Sequence, residues 1–342
     1  MNKFPSINQF RNAVNTVRLR ATYTGCDEQD VPLYDDTKPI PTLKFRGTVK
    51  LHGTNVGVVV QRGQPIKFQS RTRELTVGND NCQFAGLMSQ SNLDWAVPHD
   101  DPDVVRTYFG EWCGKGIQKG VAINQHEKVF VLFAVLDCVN PGEEETCTWM
   151  SAEDMSDVTS EDPRFLNVNH FETFTTSINF NDPKLSVDEL SHVTDSVERE
   201  CPIAAALGHK GVGEGVVWTC VTPGWELSDV WFKTKGEKHK VSKTREKIPV
   251  APERLAAIED FTAAVVTEAR LNQGIEALQM MKAPLDRKST GKFLGWVVKD
   301  VLKEETDTIE CSELEKGEVT ATVQGAARKW FFNYLDDLTF GL

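Results

Sequence analysis

The sequence lacks long apolar runs. No stretch of its 342 residues approaches the ~20 consecutive apolar residues that a membrane-spanning helix needs, and the N-terminus has no apolar core of a secretory signal. Residues 1–26 carry basic residues and no acid, as mitochondrial presequences do, but their apolar positions predict the packing face of a first helix equally well. These positions are Phe4, Ile7, Phe10, Val14 and Val17. We therefore expect a soluble globular protein.

The cysteines lack the spacing of a metal or disulfide framework. None of the eight belongs to a C-x-x-C pair or has matching histidines, which argues against a structural zinc site and against a small disulfide scaffold. Scattered cysteines of this kind are typical of buried free thiols in a reducing compartment. We therefore expect most to be free and the location to be cytoplasmic. The eight are Cys26, Cys82, Cys113, Cys138, Cys147, Cys201, Cys220 and Cys311.

Positive charge is scarce, since 38 Lys and Arg stand against 50 Asp and Glu and the formal net charge is −12. Phosphate binding depends on Lys and Arg, so their distribution matters. Residues 233–247 hold seven basic and two acidic residues, a balance of +5 that leaves about −17 elsewhere. A basic run is typical of a solvated surface. Because Trp231 and Phe232 precede this one, we expect its first lysines to leave a buried strand and enter a site.

Internal repeats and low-complexity tracts are also absent. From about residue 40 to 235, short apolar runs alternate with turn residues, which predicts an α+β domain with antiparallel sheets. The predicted strands cover 47–52, 56–61, 66–70, 104–113, 128–138, 215–221 and 229–235, and the predicted helices cover 6–18, 81–93 and 186–206. The stretch 141–162 has eight acids and no base, so we expect an exposed excursion there.

Helical periodicity dominates after Lys247. Pro249 and Pro252 mark the change, and helices are predicted over 253–281 and 313–337. Another helix presents an apolar stripe made by Phe293, Leu294, Val297, Val298, Val301 and Leu302. The sequence thus predicts one domain over 1–247 and a small all-helical domain over 248–342.

The most informative motif is Lys50-Leu51-His52-Gly53-Thr54-Asn55. The bare pattern Lys-x-x-Gly says little, because it occurs at Lys44, Lys50, Lys210, Lys233, Lys288 and Lys292. Lys50 differs in its context, since Val49 precedes it and a β-branched run over 56–60 follows. These flanks predict a lysine at a strand-to-strand turn, held against a pocket where an amine can be used covalently.

An amine nucleophile must be neutral to attack, yet an unperturbed lysine has a pKa near about 10.4. Nearby cations, a metal ion or desolvation must lower it. Lys233 and Lys235 are candidates for those cations, because strand alternation sends both side chains to the same face. They can also hold the phosphate that Lys50 attacks.

Two carboxylates lie beside glycines at strand edges, where backbone can approach a ligand closely. Glu111 follows Gly110, and Glu214 precedes Gly215. Such acids accept hydrogen bonds from sugar hydroxyls or hold the water shell of Mg²⁺. Either one alone is also typical of a surface turn.

Three further residues have a structural interpretation beside the functional one. Phe133, in an apolar strand, is more typical of a core residue than of a base-stacking one. His52 is more typical of a polar turn neighbour than of a catalytic acid or base. Arg71 can clamp phosphate or ribose, or merely cap a strand.

In their order along the chain, these motifs strongly resemble the covalent nucleotidyltransferases. The order is Lys50-Leu51-His52-Gly53-Thr54-Asn55, Ser70-Arg71, Gly110-Glu111-Trp112 with Gly116-Ile117-Gln118-Lys119, Val131-Leu132-Phe133, Glu214-Gly215-Val216-Val217 and Lys233-Thr234-Lys235. The His-Gly-Thr-Asn form and the Gly-x-Gly-Ile-Gln tract resemble ATP-dependent RNA ligases of the RNA ligase 2 type, which are related to kinetoplastid RNA-editing ligases. The stretch 291–306 resembles their helical C-terminal domain.

The resemblance implies a nucleotidyltransferase domain over 1–247, with antiparallel sheets flanked by helices, and a helical C-terminal domain over 248–342. It implies an ATP-dependent RNA ligase that joins 3′-hydroxyl and 5′-phosphate ends. The expected partner is RNA, as a nicked duplex or an RNA–DNA hybrid, and we expect a monomer. The implied cofactors are ATP, whose AMP is carried on Lys50, and Mg²⁺, for which Mn²⁺ can substitute.

The same resemblance implies roles for individual residues. Lys50 is the nucleophile, and Glu214, Lys233 and Lys235 complete the catalytic set. The nucleotide is held by these four together with His52, Asn55, Arg71, Glu111 and Phe133. Among them, Glu111 and Arg71 hold the ribose and Phe133 stacks on adenine. Glu214 and Glu111 are the expected metal ligands.

Two positions depart from the family pattern. Phe133 is followed by Ala134 where many relatives have aspartate, which puts a hydrogen bond or metal contact in doubt. The Glu214 motif ends in Thr219 where relatives usually have a basic residue, so phosphate binding would rely on Lys235 or Arg71. Neither departure removes the nucleophile.

Two alternatives remain at this level. A DNA ligase or a capping guanylyltransferase shares the lysine motif, but either normally carries an oligonucleotide-binding β-barrel where this chain becomes helical. A catalytically weak nucleic-acid end-binding protein would keep the fold without turnover.

Overall fold

A computed structural model describes residues 1–141, 143, 146–236, 254–305, 309, 314 and 316–340. The chain divides into two compact units, Met1–Gly236 and Glu237–Leu342. The first unit is mixed α+β and the described part of the second is helical, so the predicted fold class is confirmed. The boundary predicted after residue 247 lies outside the described residues. So do Lys238, Lys240, Lys243, Arg245 and Lys247 of the basic run.

Short strands build most of the first unit. They are β1 Asn8–Gln9, β2 Tyr23–Cys26, β3 Pro32–Tyr34, β4 Thr42–Lys50, β5 Thr54–Val60, β6 Lys67–Ser70, β7 Glu74–Leu75, β8 Val105–Cys113, β9 Val129–Cys138, β10 Cys147–Trp149, β11 Phe165–Asn167, β12 Thr173–Asn179, β13 Gly215–Cys220 and β14 Phe232–Lys235. Sheet 1 has the order β1-β14-β13-β4-β12, and sheet 2 has the order β10-β9-β8-β5-β6-β7 with β11 also paired to β9. Strands β2 and β3 form a separate pair.

Strand β4 lies inside sheet 1, antiparallel to both β12 and β13. Its alternating sequence buries Leu43, Phe45 and Val49. Because successive side chains of a strand point to opposite faces, Arg46 and Lys50 lie on the other face. The nucleophile candidate therefore belongs to a strand that is anchored on both sides.

Sheet 2 contains a β-bulge beside the predicted base-stacking residue. Strand β9 is antiparallel to β8, with Ala134 opposite Phe109 and Leu132 opposite Gly110, so Phe133 is the additional residue. A bulge bends its strand and changes the direction of the side chains there. The position of Phe133 is therefore set by the pairing of two long strands.

Helices cover one face of sheet 1 and form the second unit. They are α1 Phe10–Thr22, α2 Phe84–Met88, α3 Ala152–Ser156, α4 Val187–Arg199, α5 Pro202–Ala206, α6 Arg254–Val265, α7 Glu268–Met280, α8 Thr290–Glu304 and α9 Lys316–Phe340. The ring of Phe10 on α1 lies 5.0 Å from that of Phe232, and Thr194 on α4 donates a hydrogen bond to Thr234 at 2.6 Å. Both helices thus pack on the face opposite Lys50.

The second unit has its own apolar core, which includes a buried arginine. Phe293 and Val297 of the predicted stripe are fully buried. Arg270 is also fully buried, and its guanidinium lies 2.9 Å from Asp300 and 3.3 Å from Glu305. A buried charge is tolerated when it is paired in this way.

Some predicted elements differ from the structure. The helix predicted over 81–93 is only α2, and the one over 186–206 divides before Pro202, whose missing N–H suits the first turn of a new helix. The acidic stretch 141–162 contains β10 and α3, and Met155 of α3 is buried. The charge pattern of the stretch gave no indication that an apolar side chain would anchor it.

The cysteines follow the prediction only in part. Cys113, Cys201 and Cys220 are buried free thiols. Cys138 and Cys147 form a disulfide, because the antiparallel pairing of β9 with β10 places them opposite each other. Cys26 and Cys82 are also free but not buried, so most of the described cysteines are free thiols, as expected, and this pair is not. Within the described ranges, no helix is long and apolar enough to cross a membrane.

Gly110→Ala tests the packing of sheet 2. A Cβ at this position would overlap the fully buried ring of Phe130, so we expect a loss of about 1–3 kcal/mol in the free energy of unfolding. Urea denaturation would measure it. Gly78→Ala is the control, because a Cβ there meets nothing within 4 Å. Equal unfolding midpoints for the two variants would contradict the packing.

Candidate active site

Lys50 lies at the end of β4, in register with residues of two neighbouring strands. Gly215 of β13 pairs with Lys50 on one side and with Lys235 of β14 on the other. Directly paired residues point to the same face of a sheet, so the side chains of Lys50 and Lys235 share one face. Lys233 lies on that face as well by alternation. Sheet pairing thus brings the three predicted lysines to one surface.

A buried carboxylate joins two of these lysines. Lys50 Nζ donates a hydrogen bond to Glu214 Oε2 at 2.6 Å, and Lys235 Nζ lies 3.3 Å from Oε1. His52 Nδ1 lies 3.5 Å from Oε2. The side chain of Glu214 is 2% exposed, against 22% for Lys50. We call Lys50, His52, Glu214 and Lys235 the Glu214 cluster.

Electrostatics keep Glu214 ionised. Its burial disfavours the charged form, but the positive charges of Lys50 and Lys235 outweigh this and hold the pKa of the carboxyl well below its usual range. A hydrogen bond from His52 acts in the same direction. The cluster therefore holds the Lys50 amine in place beside an anion.

The turn after Lys50 is held by sheet 2. The Gly53 N–H donates a hydrogen bond to Glu111 Oε1 at 2.8 Å, and Gln118 Nε2 donates to the Gly53 carbonyl at 3.1 Å. A Cβ at position 53 would overlap the carbonyl of Trp112, so only glycine fits. Asn55, two residues on, pairs with Glu111. The lysine motif and Glu111 are therefore positioned by the same contacts.

The pKa values of Glu111 and Glu214 are shifted in opposite directions. Burial raises the pKa of Glu111 to about 7; the charge of Lys50 lowers it and that of Glu214 raises it. A divalent cation beside both carboxylates would relieve this repulsion, and carboxylate oxygens suit Mg²⁺ or Mn²⁺. In the described part of the chain, no group of three or more His, Cys, Asp or Glu side chains forms a metal cluster. An ion held by these two carboxylates alone would keep most of its water ligands.

Phe133 and Arg71 contact the start of the chain rather than the Glu214 cluster. The ring centroid of Phe4 lies 4.9 Å from that of Phe133, and Arg71 Nη2 donates a hydrogen bond to the Pro5 carbonyl at 3.1 Å. Asn2 Nδ2 donates to Thr107 of β8 at 3.1 Å. The two residues predicted to hold adenine and ribose are thus joined through residues 2–5.

Sequence reasoning missed the contributions of Asn2, Phe4 and Gln118. Gln118 belongs to the Gly-x-Gly-Ile-Gln tract and has a positive φ of 57°, so its motif was visible but its contact with Gly53 was not. Phe4 was expected on the face of a first helix, yet α1 begins at Phe10. No local pattern could indicate that Phe4 contacts a residue far along the chain.

Glu111→Gln tests the raised pKa of this carboxyl in the absence of nucleotide and metal. The pKa of Glu111 is about 7 in the folded protein, above the usual 4.5. As the pH rises, this carboxyl therefore loses its proton in the unfolded chain at a lower pH than in the folded one. Glu111 therefore stabilises the fold less as pH rises from 4.5 to 7. Relative to wild type, the variant should become progressively more stable across this window, as measured by urea unfolding at several pH values. Glu127→Gln is the control, because the pKa of Glu127 is lowered; parallel profiles for both variants would contradict the assignment.

Comparison with known proteins places these residues in a family. The RNA ligase family matches residues 43–235, and no curated protein matches the chain. Similar solved structures include Naegleria gruberi RNA ligase variants with ATP and Mn (14% identity, TM-score 0.39, 69% of this chain and 58% of that one) and with AMP and Mn (14%, 0.42, 69% and 56%). This chain spans less than two thirds of their length. Because the family match covers more than half of its sequence, this chain belongs to the RNA ligase family.

Proposed function

We propose that this chain is an ATP-dependent RNA ligase that joins 3′-hydroxyl and 5′-phosphate ends through a lysyl-AMP intermediate on Lys50. The observation that carries the proposal is the Glu214 cluster, where Lys50 and Lys235 share one buried carboxylate across three paired strands. The cluster lies within the span that matches the RNA ligase family. Family membership favours RNA as the substrate.

The first chemical step is the attack of Lys50 on ATP. The deprotonated Nζ forms a bond to the α-phosphorus, the bond from that phosphorus to the bridging oxygen breaks, and pyrophosphate leaves. The step depends on in-line geometry and charge neutralisation more than on acid–base chemistry. Lys235 and Lys233, on the same face as Lys50, would hold the α-phosphate.

Two transfers complete the reaction. The 5′-phosphate of the RNA attacks the phosphorus of lysyl-AMP, which breaks the P–N bond, frees Lys50 and leaves AMP on the 5′ end. A 3′-hydroxyl then attacks the activated 5′-phosphate and expels AMP, so that one phosphodiester forms for each ATP consumed. His52 and Asn55 would line the phosphate end of the nucleotide throughout.

The remaining predicted residues would bind the nucleotide, the metal ion or both. Phe133 would stack on adenine, and Arg71 with Glu111 would hold the ribose. Glu214 and Glu111 would hold a hydrated Mg²⁺ or Mn²⁺. Such an ion neutralises phosphate charge.

The proposed substrate is a nick in duplex RNA or in an RNA–DNA hybrid, sealed by a monomer in the cytoplasm. The overall charge of −12 opposes binding of polyanions. The basic run 233–247 would therefore supply most of the attraction for the phosphate backbone. Its first lysines, Lys233 and Lys235, share the face of the sheet that carries Lys50.

Incubation with α-labelled ATP and Mg²⁺ tests the covalent step. We expect label on the wild-type protein and none on Lys50→Ala, because Lys50 is the proposed nucleophile and Lys235, the other amine beside Glu214, would hold the α-phosphate instead. Lys44→Ala is a matched control, since Lys44 lies on the same strand and starts the same Lys-x-x-Gly pattern but is exposed. Label that survives Lys50→Ala, or preference for GTP over ATP, would contradict the proposal.

A sealing assay tests the substrate. We expect nicked duplexes with RNA at both ends to be joined at least about tenfold faster than single strands, because a complementary strand aligns the two ends. Lys50→Ala should still seal a nick whose 5′ end already carries AMP, since that substrate needs no lysyl-AMP. Equal rates on single strands would rule out the preference for nicks.

A further inference from the structure

Arg46 and Thr219 form a pair on the same surface as the Glu214 cluster. Arg46 lies four residues before Lys50 on β4 and shares its face by alternation. At about 3.4 Å per residue, its Cα lies roughly 14 Å from that of Lys50 along the strand. Its partner on β13 is Thr219, whose hydroxyl donates a hydrogen bond to the main-chain carbonyl of Arg46 at 3.3 Å.

Trp231 extends this row onto the next strand. Because Trp218 pairs with Phe232, Trp231 comes opposite Thr219. Its backbone is extended, with φ −71° and ψ 143°, so the alternation of β14 continues and Trp231 shares the face of Lys233. Arg46, Thr219 and Trp231 thus lie side by side, with the small Thr219 in the middle.

Both outer residues of the row have a buried donor without a hydrogen-bond partner. These donors are Arg46 Nε and Trp231 Nε1. Burial lowers the pKa of the Arg46 guanidinium, and no carboxylate of the described residues contributes to that shift; the group nevertheless stays charged. Buried donors without acceptors are costly and uncommon in native proteins. Two of them in one row indicate a ligand that supplies acceptors.

The row is connected to Phe133 through the ring of Phe4. The ring of Phe4 is 4.9 Å from that of Phe133 and 6.5 Å from that of Trp231. Phe133 and Trp231 are therefore neighbours of one aromatic ring. This connects the row with the residue that would stack on the base and separates it from the phosphate end at Lys50.

We propose that Arg46 and Trp231 bind the nucleobase of the bound nucleotide by donating hydrogen bonds to acceptor nitrogens of the purine ring. This inference rests on the proposed function, because it takes the nucleotide to extend from Lys50 towards Phe133. Purine ring nitrogens are acceptors that a guanidinium or indole N–H can contact.

The test compares Arg46→Met and Trp231→Phe with Lys44→Met. Methionine keeps an unbranched apolar chain, phenylalanine keeps a ring, and Lys44 is the matched control on the same strand and face. ATP affinity is measured by titration calorimetry, and kcat/KM for self-adenylylation with labelled ATP. We expect Arg46→Met to lose about 10- to 100-fold in both, Trp231→Phe to lose about 3- to 10-fold, and Lys44→Met to be unchanged. Thermal unfolding shows whether each variant remains folded.

Deaza analogues identify the contact. Replacing N1, N3 or N7 of ATP by C–H should weaken binding to the wild-type protein only where Arg46 or Trp231 donates to that nitrogen. The analogue that lacks the acceptor of Arg46 should bind Arg46→Met no more weakly than ATP does, because the donor is already gone. If Arg46→Met matches wild type with ATP, or loses only the later sealing of RNA, the base contact is wrong.

The two proposals fail in different ways. A wild-type protein that binds ATP but takes no label would overturn the proposed function, and the affinity series would still decide the role of Arg46. A labelled wild-type protein whose affinity is unaffected by Arg46→Met and Trp231→Phe would overturn only the base contact. A wild-type protein that does not bind ATP would overturn both.

Discussion

The interaction on which the rest of the site depends is the sharing of Glu214 by two lysines from different strands. A carboxylate with a side chain only 2% exposed is stable as an anion only because Lys50 and Lys235 neutralise it. Those lysines reach it because Gly215, with a positive φ of 154°, lets β13 approach β14 closely; a Cβ there would overlap the carbonyl of Thr234. The close approach of β13 to β14 at Gly215 is therefore what allows the two lysines to neutralise Glu214.

Sheet 2 contributes the second half of the site through contacts with the turn that follows Lys50. Glu111 and Gln118 hold the two polar groups of Gly53, so the nucleophile is tied to both sheets. The bulge at Phe133 and the ring of Phe4 then connect sheet 2 with Trp231, which immediately precedes β14. This arrangement separates a charged end, where phosphate chemistry would take place, from an aromatic end suited to a base.

Much of this fold was predictable from local patterns. The alternation in β4 and the apolar runs of β8 and β9 indicate strands, and the stripe around Phe293 indicates a helix, because each pattern reflects which face its own segment buries. Prediction failed where distant residues decide the outcome. The disulfide of Cys138 with Cys147 depends on the register of β10, and α1 begins only at Phe10 because Asn8 and Gln9 pair with β14 instead.

The sequence by itself determined which groups are available: an isolated lysine motif, two carboxylates beside glycines and two lysines on one strand face. It also determined the family, because the order of the motifs along the chain needs no coordinates. Only the tertiary structure decided that Lys50 and Lys235 meet at Glu214, and that Arg46 lies beside Thr219 and Trp231. The physical reason is that strand register joins residues far apart in the chain, and register is set by the packing of whole sheets rather than by the residues it brings together.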